Sequence, residues 1–260
     1  MGLLDGKCAI ITGAGSGFGR AGAITFAREG AKVAVADIND KTGQETVAAI
    51  RDAGGQAVFV RVDVSRMDEV ERMVREAVEG LGRLDIFWHN AGIAGPGAVD
   101  NTTEEAYDLT MATHVKAGFF GARHAANAMK KSGGGAILFT SSLAGLKASR
   151  GSPVYGIAKA GLIALTKNLT VSFAPYQVRV NALCPGPAET AMWSAVTNRD
   201  SDTVDPEKSE AIARMYREKA PLGRLCDVND VANAALFLCS DLASCVTGEI
   251  LSVDAGLSVV

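Results

Sequence analysis

The stretch KCAIITGAGSGFG, residues 7–19, decides the fold of this chain. Its mainly apolar first half is typical of a buried parallel strand, and a helical segment follows from about Gly17. Glycines at such a strand-to-helix turn let backbone N–H groups approach a pyrophosphate at the positive end of the helix. A glycine-rich string alone is a weak signal, but here it has the strand before it and the helix after it. The stretch therefore predicts a dinucleotide-binding turn.

Outward from this turn, short apolar runs alternate with longer segments of helical periodicity. We predict strands at 7–12, 32–37, 57–62, 84–89, 136–141, 178–183 and 249–253. We predict helices at about 18–29, 40–53, 67–80, 103–130, 153–174 and 227–240. Alternation of this kind builds a parallel sheet with helices on both faces. The sequence therefore predicts one α/β domain over residues 1–260, a three-layer doubly wound sheet of seven mainly parallel strands.

The segment 186–221 departs from this alternation, because it is long and contains no predicted strand. Segments of this kind are functional lids or disordered loops. Its middle, 198–202, is polar, whereas 206–219 has a helical composition. We therefore predict a helical substrate-binding lid within the domain.

Composition and charge narrow the classes of function. The 260 residues are 48% hydrophobic and carry a formal net charge of −3, which argues against a nucleic-acid binder. No apolar run approaches the roughly 18 residues of a membrane span, and the first residues do not resemble a secretory signal. Scattered cysteines without metal-ligand spacing indicate buried thiols in a reducing compartment; these are Cys8, Cys184, Cys226, Cys239 and Cys245. We expect a cytoplasmic protein without a metal site.

Asp37 ends the second predicted strand and bears on the choice of dinucleotide. A carboxylate there accepts hydrogen bonds from the adenosine ribose hydroxyls and repels a 2′-phosphate. Ser16 leaves such a phosphate without a basic partner. The alternative is that Asp37 caps the following helix together with Asn39. We predict NAD rather than NADP as the cofactor, with contacts in this region from Gly13, Ser16, Gly17, Phe18, Gly19, Asp37 and Ile38.

A second stretch supplies candidate catalytic groups, Ser142, Tyr155 and Lys159. Ser142 follows a predicted strand, and Pro153 suits the first turn of the next helix, on which Tyr155 and Lys159 share one face. A free Tyr has a pKa near ~10, and one cation at ~4 Å in an effective dielectric of ~20 supplies the roughly 4 kcal/mol that brings it near 7. Ser142 would hold a carbinol or carbonyl oxygen against the phenol. The alternative is an ordinary pair on a helix surface.

Taken together, these motifs resemble those of the short-chain dehydrogenase/reductase family over essentially the whole chain. The matching motifs are Thr12-Gly13-x-x-x-Gly17-x-Gly19, Asp63-Val64, Asn90-Ala91-Gly92, Ser142, Tyr155-x-x-x-Lys159, Asn181, Pro185-Gly186-x-x-x-Thr190, Leu222-Gly223-Arg224 and Val253-Asp254-Ala255-Gly256. The resemblance implies a Rossmann-type domain that assembles into dimers or tetramers, and we expect a homotetramer.

The resemblance also implies roles for single residues. Tyr155 is expected to act as the acid/base, and Lys159 to tune its pKa and to hold the nicotinamide ribose. Hydride is expected to pass to or from the nicotinamide C4, with Ser142 positioning the carbonyl. Further cofactor contacts are expected at the adenine, near strand four and at the carboxamide, from Asp63, Val64, Asn90, Ala91, Gly92, Pro185, Gly186, Ala188 and Thr190.

Two histidines stand where members of the family carry Asn. Alignment on Phe119-Phe120-Gly121 places His114 at the Asn that anchors a water in a proton relay through the Lys. A neutral His can also hold a water, and it titrates near neutrality. We therefore predict His114 as a fourth catalytic residue, the alternative being a tolerated polar residue on the helix. His89, before Asn90, is expected to serve in packing or to support residues that contact the ligands, with little functional weight of its own.

The substrate pocket is expected between the catalytic trio and the lid. Its predicted walls are Ala94, Gly95, Pro96, Leu143, Ala144, Ser149, Arg150, Pro187, Met192 and Trp193. These residues are mostly apolar and favour a neutral secondary alcohol or ketone, Arg150 being the one charge that could favour an anion. We predict an NAD-dependent secondary-alcohol dehydrogenase. The alternatives are an NADPH-type 3-oxoacyl-[acyl-carrier-protein] reductase and a non-catalytic nucleotide-sensing protein on the same fold.

Overall fold

The computed structural model describes residues 2–149, 151–197 and 205–260. The strands in these ranges are β1 (Cys8–Thr12), β2 (Lys32–Asp37), β3 (Gln56–Arg61), β4 (Ile86–His89), β5 (Gly135–Thr140), β6 (Val178–Pro185) and β7 (Ile250–Val253). They form one parallel sheet in the order β3-β2-β1-β4-β5-β6-β7. The seven predicted strands are confirmed, with ends that differ by two residues at most.

Helices cover both faces of this sheet. Those in the described ranges are α1 (Gly17–Arg28), α2 (Asp40–Asp52), α3 (Met67–Leu81), α4 (Glu104–Met111), α5 (Ala117–Ser132), α6 (Pro153–Phe173), α7 (Ala191–Thr197), α8 (Pro206–Lys219) and α9 (Val228–Cys239). The predicted lid, 186–221, contains α7 and α8. Its polar middle, 198–202, lies outside the described residues.

The single helix predicted at 103–130 is wrong in one respect. A π-helical turn, Ala112–Lys116, separates α4 from α5, and the Ala117 N–H reaches back five residues to the Ala112 carbonyl. Such a turn inserts one extra residue into an α-helix and is frequent at functional sites. Apolar periodicity does not reveal it, because the helix axis continues through the turn. The turn carries His114.

Two apolar layers pack against the two faces of the sheet. Successive residues of a strand point to opposite faces, so Ile10 belongs to one layer and Ile11 to the other. Phe87 and Trp88 on β4 divide in the same way. Every residue of β1 and β4 is buried, which explains why these strands are continuous apolar runs rather than alternating ones.

The strand order reverses between β1 and β4, and this reversal positions the site. Connections leave neighbouring strands toward opposite faces at such a point, so a crevice opens at the carboxyl ends. Asn90, directly after β4, braces the crevice. Its Nδ2 donates to the carbonyls of Thr12 at 3.1 Å and Gly13 at 3.3 Å, and its Oδ1 accepts the Thr140 hydroxyl at 3.1 Å. The ends of three strands are thereby tied together.

The cysteines match the prediction at four of five positions. Cys8, Cys184, Cys226 and Cys239 are buried free thiols, whereas Cys245 is exposed. The prediction for Cys245 is wrong because this residue lies in a surface turn between α9 and β7.

Across the described part of the chain, no helix has both the length and the apolar character needed to cross a bilayer. Within the same ranges, no three His, Cys, Asp or Glu side chains are grouped so that they could hold a metal ion.

Candidate active site

A cavity of about 1260 Å³ runs along the carboxyl ends of the strands. Sites for one small ligand measure roughly 300–1,000 Å³, so this cavity has room for a dinucleotide and a second molecule. Almost all of the predicted cofactor residues line it: Gly13, Ser16, Gly17, Phe18, Asp37, Ile38, Asp63, Val64, Asn90, Ala91, Gly92, Tyr155, Lys159, Pro185, Gly186, Ala188 and Thr190. The structure thus brings together residues that are up to 177 positions apart (from 13 to 190).

The glycine-rich turn has the shape of a phosphate cradle. Gly13 has a φ of 64°, and a Cβ on it would lie 2.9 Å from the Cα of Ala91. A Cβ on Gly15 would come within 2.5 Å of Thr42 Oγ1. Gly17, with a φ of 52°, starts α1, and a Cβ on it would make an ordinary van der Waals contact with Thr190 at 3.7 Å. The turn therefore fits a pyrophosphate at a helix N-terminus.

Gly19 has a different place from the other glycines of the motif. It is buried and lies outside the cavity lining, and a Cβ there would approach the Gly13 carbonyl oxygen at 2.3 Å. The absence of a side chain lets α1 pack directly on the turn. Gly19 therefore supports the shape of the turn through the packing of α1, and it does not itself line the cavity.

Asp37 ends β2, three strands along the sheet from β5, which precedes Ser142. Its Oδ2 accepts the Gly15 N–H at 2.7 Å, and its Oδ1 accepts the Asn39 N–H at 2.9 Å. Asn39, rather than Asp37, caps α2 by accepting the Thr42 N–H at 3.1 Å. The carboxylate is thus fixed in the cavity wall, and each oxygen keeps a further lone pair for an incoming hydroxyl.

Tyr155, Lys159 and Ser142 meet at one end of the cavity. Lys159 lies one helical turn after Tyr155 on α6, and its Nζ is 5.3 Å from the centre of the phenol ring. The Nζ donates to the Thr140 carbonyl at 2.7 Å. Ser142 begins a short 3₁₀ turn and accepts the Ala144 N–H at 3.1 Å, which leaves its hydroxyl hydrogen as a donor.

The Lys159 ammonium lies in an unusual environment, since the residue is only 2% exposed. Burial lowers the pKa of Lys159 to about 7, and the charge interaction with Cys184 opposes this shift in part. Removal from water disfavours the charged form of an amine, which explains the direction. The side chain can therefore exchange a proton near neutral pH.

His114 sits directly behind the cavity wall. Its ring meets Tyr155 edge-on with centroids 5.6 Å apart, and a Cβ on Gly92 would come within 2.5 Å of its Cε1. Its Nε2 lies 3.0 Å from the carbonyl oxygen and 3.2 Å from the nitrogen of Ile93. Its Nδ1 is buried without a hydrogen-bond partner among the described residues. The side chain is thus within the active-site cluster but does not line the cavity.

The protonation state of His114 corrects one expectation. Burial, and then the positive charge of Lys159, lower the pKa of His114 well below its usual 6.5. The imidazole is therefore neutral at physiological pH and does not titrate near neutrality. Any role in proton transfer must be played by the neutral ring.

Residues of the segment predicted as a lid line the cavity. Leu143, Pro187, Met192 and Trp193 line the cavity as predicted, and so do Ala144 and Ser149. The rings of Trp193 on α7 and Tyr216 on α8 meet edge-on at 6.2 Å, which joins the two lid helices. The predicted anion-binding residue Arg150 lies outside the described residues.

The predicted wall at Ala94, Gly95 and Pro96 is wrong. The chain turns away from the cavity at Gly95, whose φ is 67°, and the Ser152 hydroxyl lies within hydrogen-bond distance of the carbonyls of Ala94 and Pro96. Ile93 and Leu109 form the wall instead.

Several lining residues were missed from the sequence: Ile93, Leu109, Thr113, Lys147, Val196, Ile212, Tyr216, Lys219, Leu257 and Val260. One signal was available, because Ile212 and Tyr216 lie four residues apart in a segment of helical composition. The others come from distant parts of the chain, and no local pattern marks them.

Comparisons with known proteins agree with this geometry. The sequence model described as enoyl-(acyl carrier protein) reductase matches residues 13–258. An uncharacterized oxidoreductase of Thermotoga maritima is 41% identical over 98% of this chain and 99% of its own. The solved structure of 7alpha-hydroxysteroid dehydrogenase complexed with NADH and 7-oxo glycochenodeoxycholic acid is 37% identical, with a TM-score of 0.89 over 97% of this chain and 94% of that one. Carveol dehydrogenase from Mycobacterium avium in complex with NAD is 30% identical, with a TM-score of 0.90 over 99% of each chain.

Proposed function

The chain belongs to the short-chain dehydrogenase/reductase family, and from this premise we propose that it is an NAD-dependent oxidoreductase that interconverts a secondary alcohol and a ketone. One observation carries the proposal: a hydroxyl, a phenol and a buried amine line the same cavity as a glycine-rich turn that fits a pyrophosphate. When bound, the nicotinamide ring supplies the hydride acceptor or donor.

Tyr155 is the acid/base of the proposed reaction. In the oxidative direction its phenolate takes the proton of the substrate hydroxyl, and in the reductive direction its phenol returns it. The ammonium of Lys159, 5.3 Å from the ring centre in a site shielded from water, favours the phenolate. The Thr140 carbonyl keeps the Nζ in place through a 2.7 Å hydrogen bond.

Ser142 orients the substrate. The Ala144 N–H occupies one lone pair of its oxygen, so the hydroxyl hydrogen is directed to another acceptor. Donation to the substrate oxygen holds that oxygen against Tyr155. This interaction strengthens as negative charge develops on the oxygen, which is the requirement for lowering a barrier.

His114 serves the proton path as a neutral base. Its pKa lies well below 6.5, its ring contacts Tyr155, and its buried Nδ1 has no partner in the described structure. Nε2 can donate to the Ile93 carbonyl or accept the Ile93 N–H, and Nδ1 correspondingly accepts from, or donates to, a water molecule. Such a water would connect the imidazole to the cluster around Lys159.

NAD is preferred over NADP in this proposal. Asp37 is fixed in the wall by two backbone N–H groups and presents its charge where a 2′-phosphate would lie. Two of the similar structures are described as complexes with NADH or NAD, which supports a nicotinamide dinucleotide. The same proposal includes the other predicted contacts with the dinucleotide, which come from Asp63, Val64, Asn90, Ala91, Gly92, Pro185, Gly186, Ala188 and Thr190.

The substrate is proposed to be a neutral or weakly polar alcohol with an apolar body. The lid side of the cavity presents Leu143, Met192 and Trp193, and Ile93, Leu109, Val196, Ile212, Tyr216 and Leu257 enlarge this apolar surface. Lys147 and Lys219 stand in the lining as well, so an anionic substituent is one outcome for the assay to test.

We also propose that the chain forms the homotetramer expected from the resemblance. Large apolar side chains are exposed on three neighbouring helices, with Leu109 at 50%, Phe119 at 41% and Ile157 at 53%. Exposed apolar surface of this kind favours association. Sedimentation should give about four times the chain mass of 26.9 kDa, and a monomer at micromolar concentration would contradict this part of the proposal.

An absorbance assay tests the function. The wild-type protein is incubated with NAD or NADP and a panel of cyclic and acyclic secondary alcohols, and in the reverse direction with NADH or NADPH and the matching ketones or a 3-oxoacyl-[acyl-carrier-protein]. Reduced dinucleotide is followed with time, and dinucleotide binding is measured separately. We expect turnover of at least one alcohol with NAD. Turnover only of acyl-carrier ketones with NADPH would favour the 3-oxoacyl-[acyl-carrier-protein] reductase. Dinucleotide binding without any turnover would favour the nucleotide-sensing protein.

A further inference from the structure

His89 and His114 are 25 residues apart in sequence but form one hydrogen-bonded unit. His89 ends β4, is 1% exposed, and places its Nε2 3.0 Å from the carbonyl oxygen of His114. Its Nδ1 lies 3.4 Å from the hydroxyl of Thr12 at the end of β1. The imidazole therefore bridges the start of the dinucleotide turn and the π turn.

The partners of Thr12 determine the tautomer of His89. The Thr12 hydroxyl oxygen accepts the N–H groups of Asn90 and Ala91, each at 3.0 Å, so both of its lone pairs are in use. A hydroxyl has one hydrogen left to donate in that case, and His89 Nδ1 is its acceptor. Nε2 then carries the proton and donates to the His114 carbonyl. Burial lowers the pKa of His89 to about 4, in agreement with a neutral ring.

The His114 carbonyl lies in the π turn and also accepts a hydrogen bond from the backbone of its own helix. The insertion of a residue shifts the hydrogen-bond pattern, and the N–H of Ala117 is shared between the carbonyls of Ala112 and His114. The ring Nε2–H of His89 gives the His114 carbonyl a further hydrogen-bond donor. Both lone pairs of the His114 carbonyl are thereby engaged, whereas the side-chain Nδ1 of His114 has no partner among the described residues.

We propose that His89 is a positioning residue whose Nε2–H holds the backbone of His114, so that the His114 imidazole stays behind Gly92 and beside Tyr155. The inference rests on the proposed function, since it concerns the same proton path. A buried ring fixed at both nitrogens is rigid, and it restricts the movement of the carbonyl to which its Nε2–H donates. Loss of this bond would let the π turn relax and move the His114 ring, while the dinucleotide cradle stays intact.

A nitrogen NMR spectrum tests the hydrogen bonds without any turnover. The chain has only three histidines, so ¹⁵N-histidine labelling gives a simple long-range spectrum. We expect the neutral Nε2–H tautomer for His89 at pH 7, and this signal should be absent from the His89→Gln variant. An Nδ1–H tautomer or a charged ring would overturn the proposal. Because no substrate is needed, this result is independent of whether the proposed function holds.

Two amide substitutions test the positioning role. A Gln at position 89 places its amide N–H near the location of Nε2, whereas an Asn reaches only to the location of Nδ1. We expect His89→Gln to keep kcat within roughly threefold and His89→Asn to lose about tenfold or more, with the NADH affinity of both within about threefold of wild type. Equal losses in kcat for the two variants would contradict the proposal.

A double-mutant cycle separates positioning from general damage. If His89 acts through His114, then His89→Asn should cost less than about twofold in kcat in a His114→Ala background. Independent losses that multiply would overturn the proposal.

The control is Phe139→Leu, which removes a buried ring that meets His89 edge-on at 6.2 Å but makes no hydrogen bond with it. We expect this variant to lower the melting temperature and to show equal effects on kcat in both backgrounds. A wild-type protein without alcohol turnover would count against the proposed function, whereas the NMR result would still decide the His89 bond.

Discussion

At the scale of single residues, Asp37 combines two tasks that one substitution can separate. Its carboxylate holds the turn through the Gly15 N–H, and in the proposed function its charge excludes a 2′-phosphate. We expect the wild type to favour NAD over NADP by at least about tenfold in kcat/KM, about 1.4 kcal/mol. Asp37→Asn should shrink this preference while keeping the turn, because an amide oxygen can still accept the N–H. Asp37→Ala should shrink it and weaken binding of both dinucleotides. Equal or better wild-type turnover with NADP would contradict the assignment.

His114 provides the second prediction at this scale. Its lowered pKa keeps the ring neutral, so it should contribute no acid limb to kcat between pH 6 and 9. His114→Asn should keep activity within about tenfold of wild type, since an amide can also hold a water, and His114→Ala should lose roughly a hundredfold. Any ionisation that His114→Asn removes should lie well below pH 6.5. Three superimposable pH profiles with similar plateaus would make His114 a bystander.

At the scale of elements, the packing of α1 on β4 depends on a missing side chain. A Cβ on Gly22 would lie 2.0 Å from the Trp88 ring, and Trp88 cannot move freely because its Nε1 donates to Thr140 at 2.8 Å. Gly22→Ala should therefore destabilise the fold by about 1–3 kcal/mol. The matched control is Gly80→Ala on α3, where the nearest atom is 3.7 Å away and the better helix propensity of Ala should stabilise by about 0.5–1 kcal/mol. Denaturant unfolding measures both, and equal effects would contradict the packing argument.

The elements also show which features of the fold and the site can be predicted from the sequence. Strand positions and the one-face placement of Tyr155 and Lys159 could be predicted, because both depend on spacing within a few residues. The π turn at Ala112–Lys116 could not, because the buried positions Thr110, His114 and Ala117 keep the spacing of an ordinary helix through it. The contact between His89 and His114 could not either, because it depends on how that turn sits beside β4. The prediction that Gly95 lines the cavity was wrong for a related reason. The chain changes direction there, at a residue with a positive φ.

At the scale of the whole molecule, the buried ammonium of Lys159 links the stability of the fold to pH. An unfolded Lys holds its proton to about pH 10.5, whereas the folded protein releases it near 7. Between these values the unfolded chain binds more protons, so stability should rise with pH, and the cost of burial is present in full below about 7. Lys159→Met should stabilise the dinucleotide-free protein at pH 6 by on the order of 1–3 kcal/mol, with a gain that shrinks toward pH 10.

The control for this measurement is Lys167→Met, an exposed Lys on the same helix. Its effect on the free energy of unfolding should be small and independent of pH. A gain for Lys159→Met that stays constant between pH 6 and pH 10 would show that the ammonium is not desolvated by the fold.

The central claim, that Tyr155 is the acid/base of an NAD-dependent alcohol oxidation, is tested most directly by kcat of Tyr155→Phe. The substitution keeps the ring that contacts His114 and removes only the hydroxyl. We predict a loss of at least about a hundredfold in kcat, with an NADH dissociation constant within about threefold of wild type. A Tyr155→Phe protein that oxidises the alcohol at near-normal kcat would contradict the account.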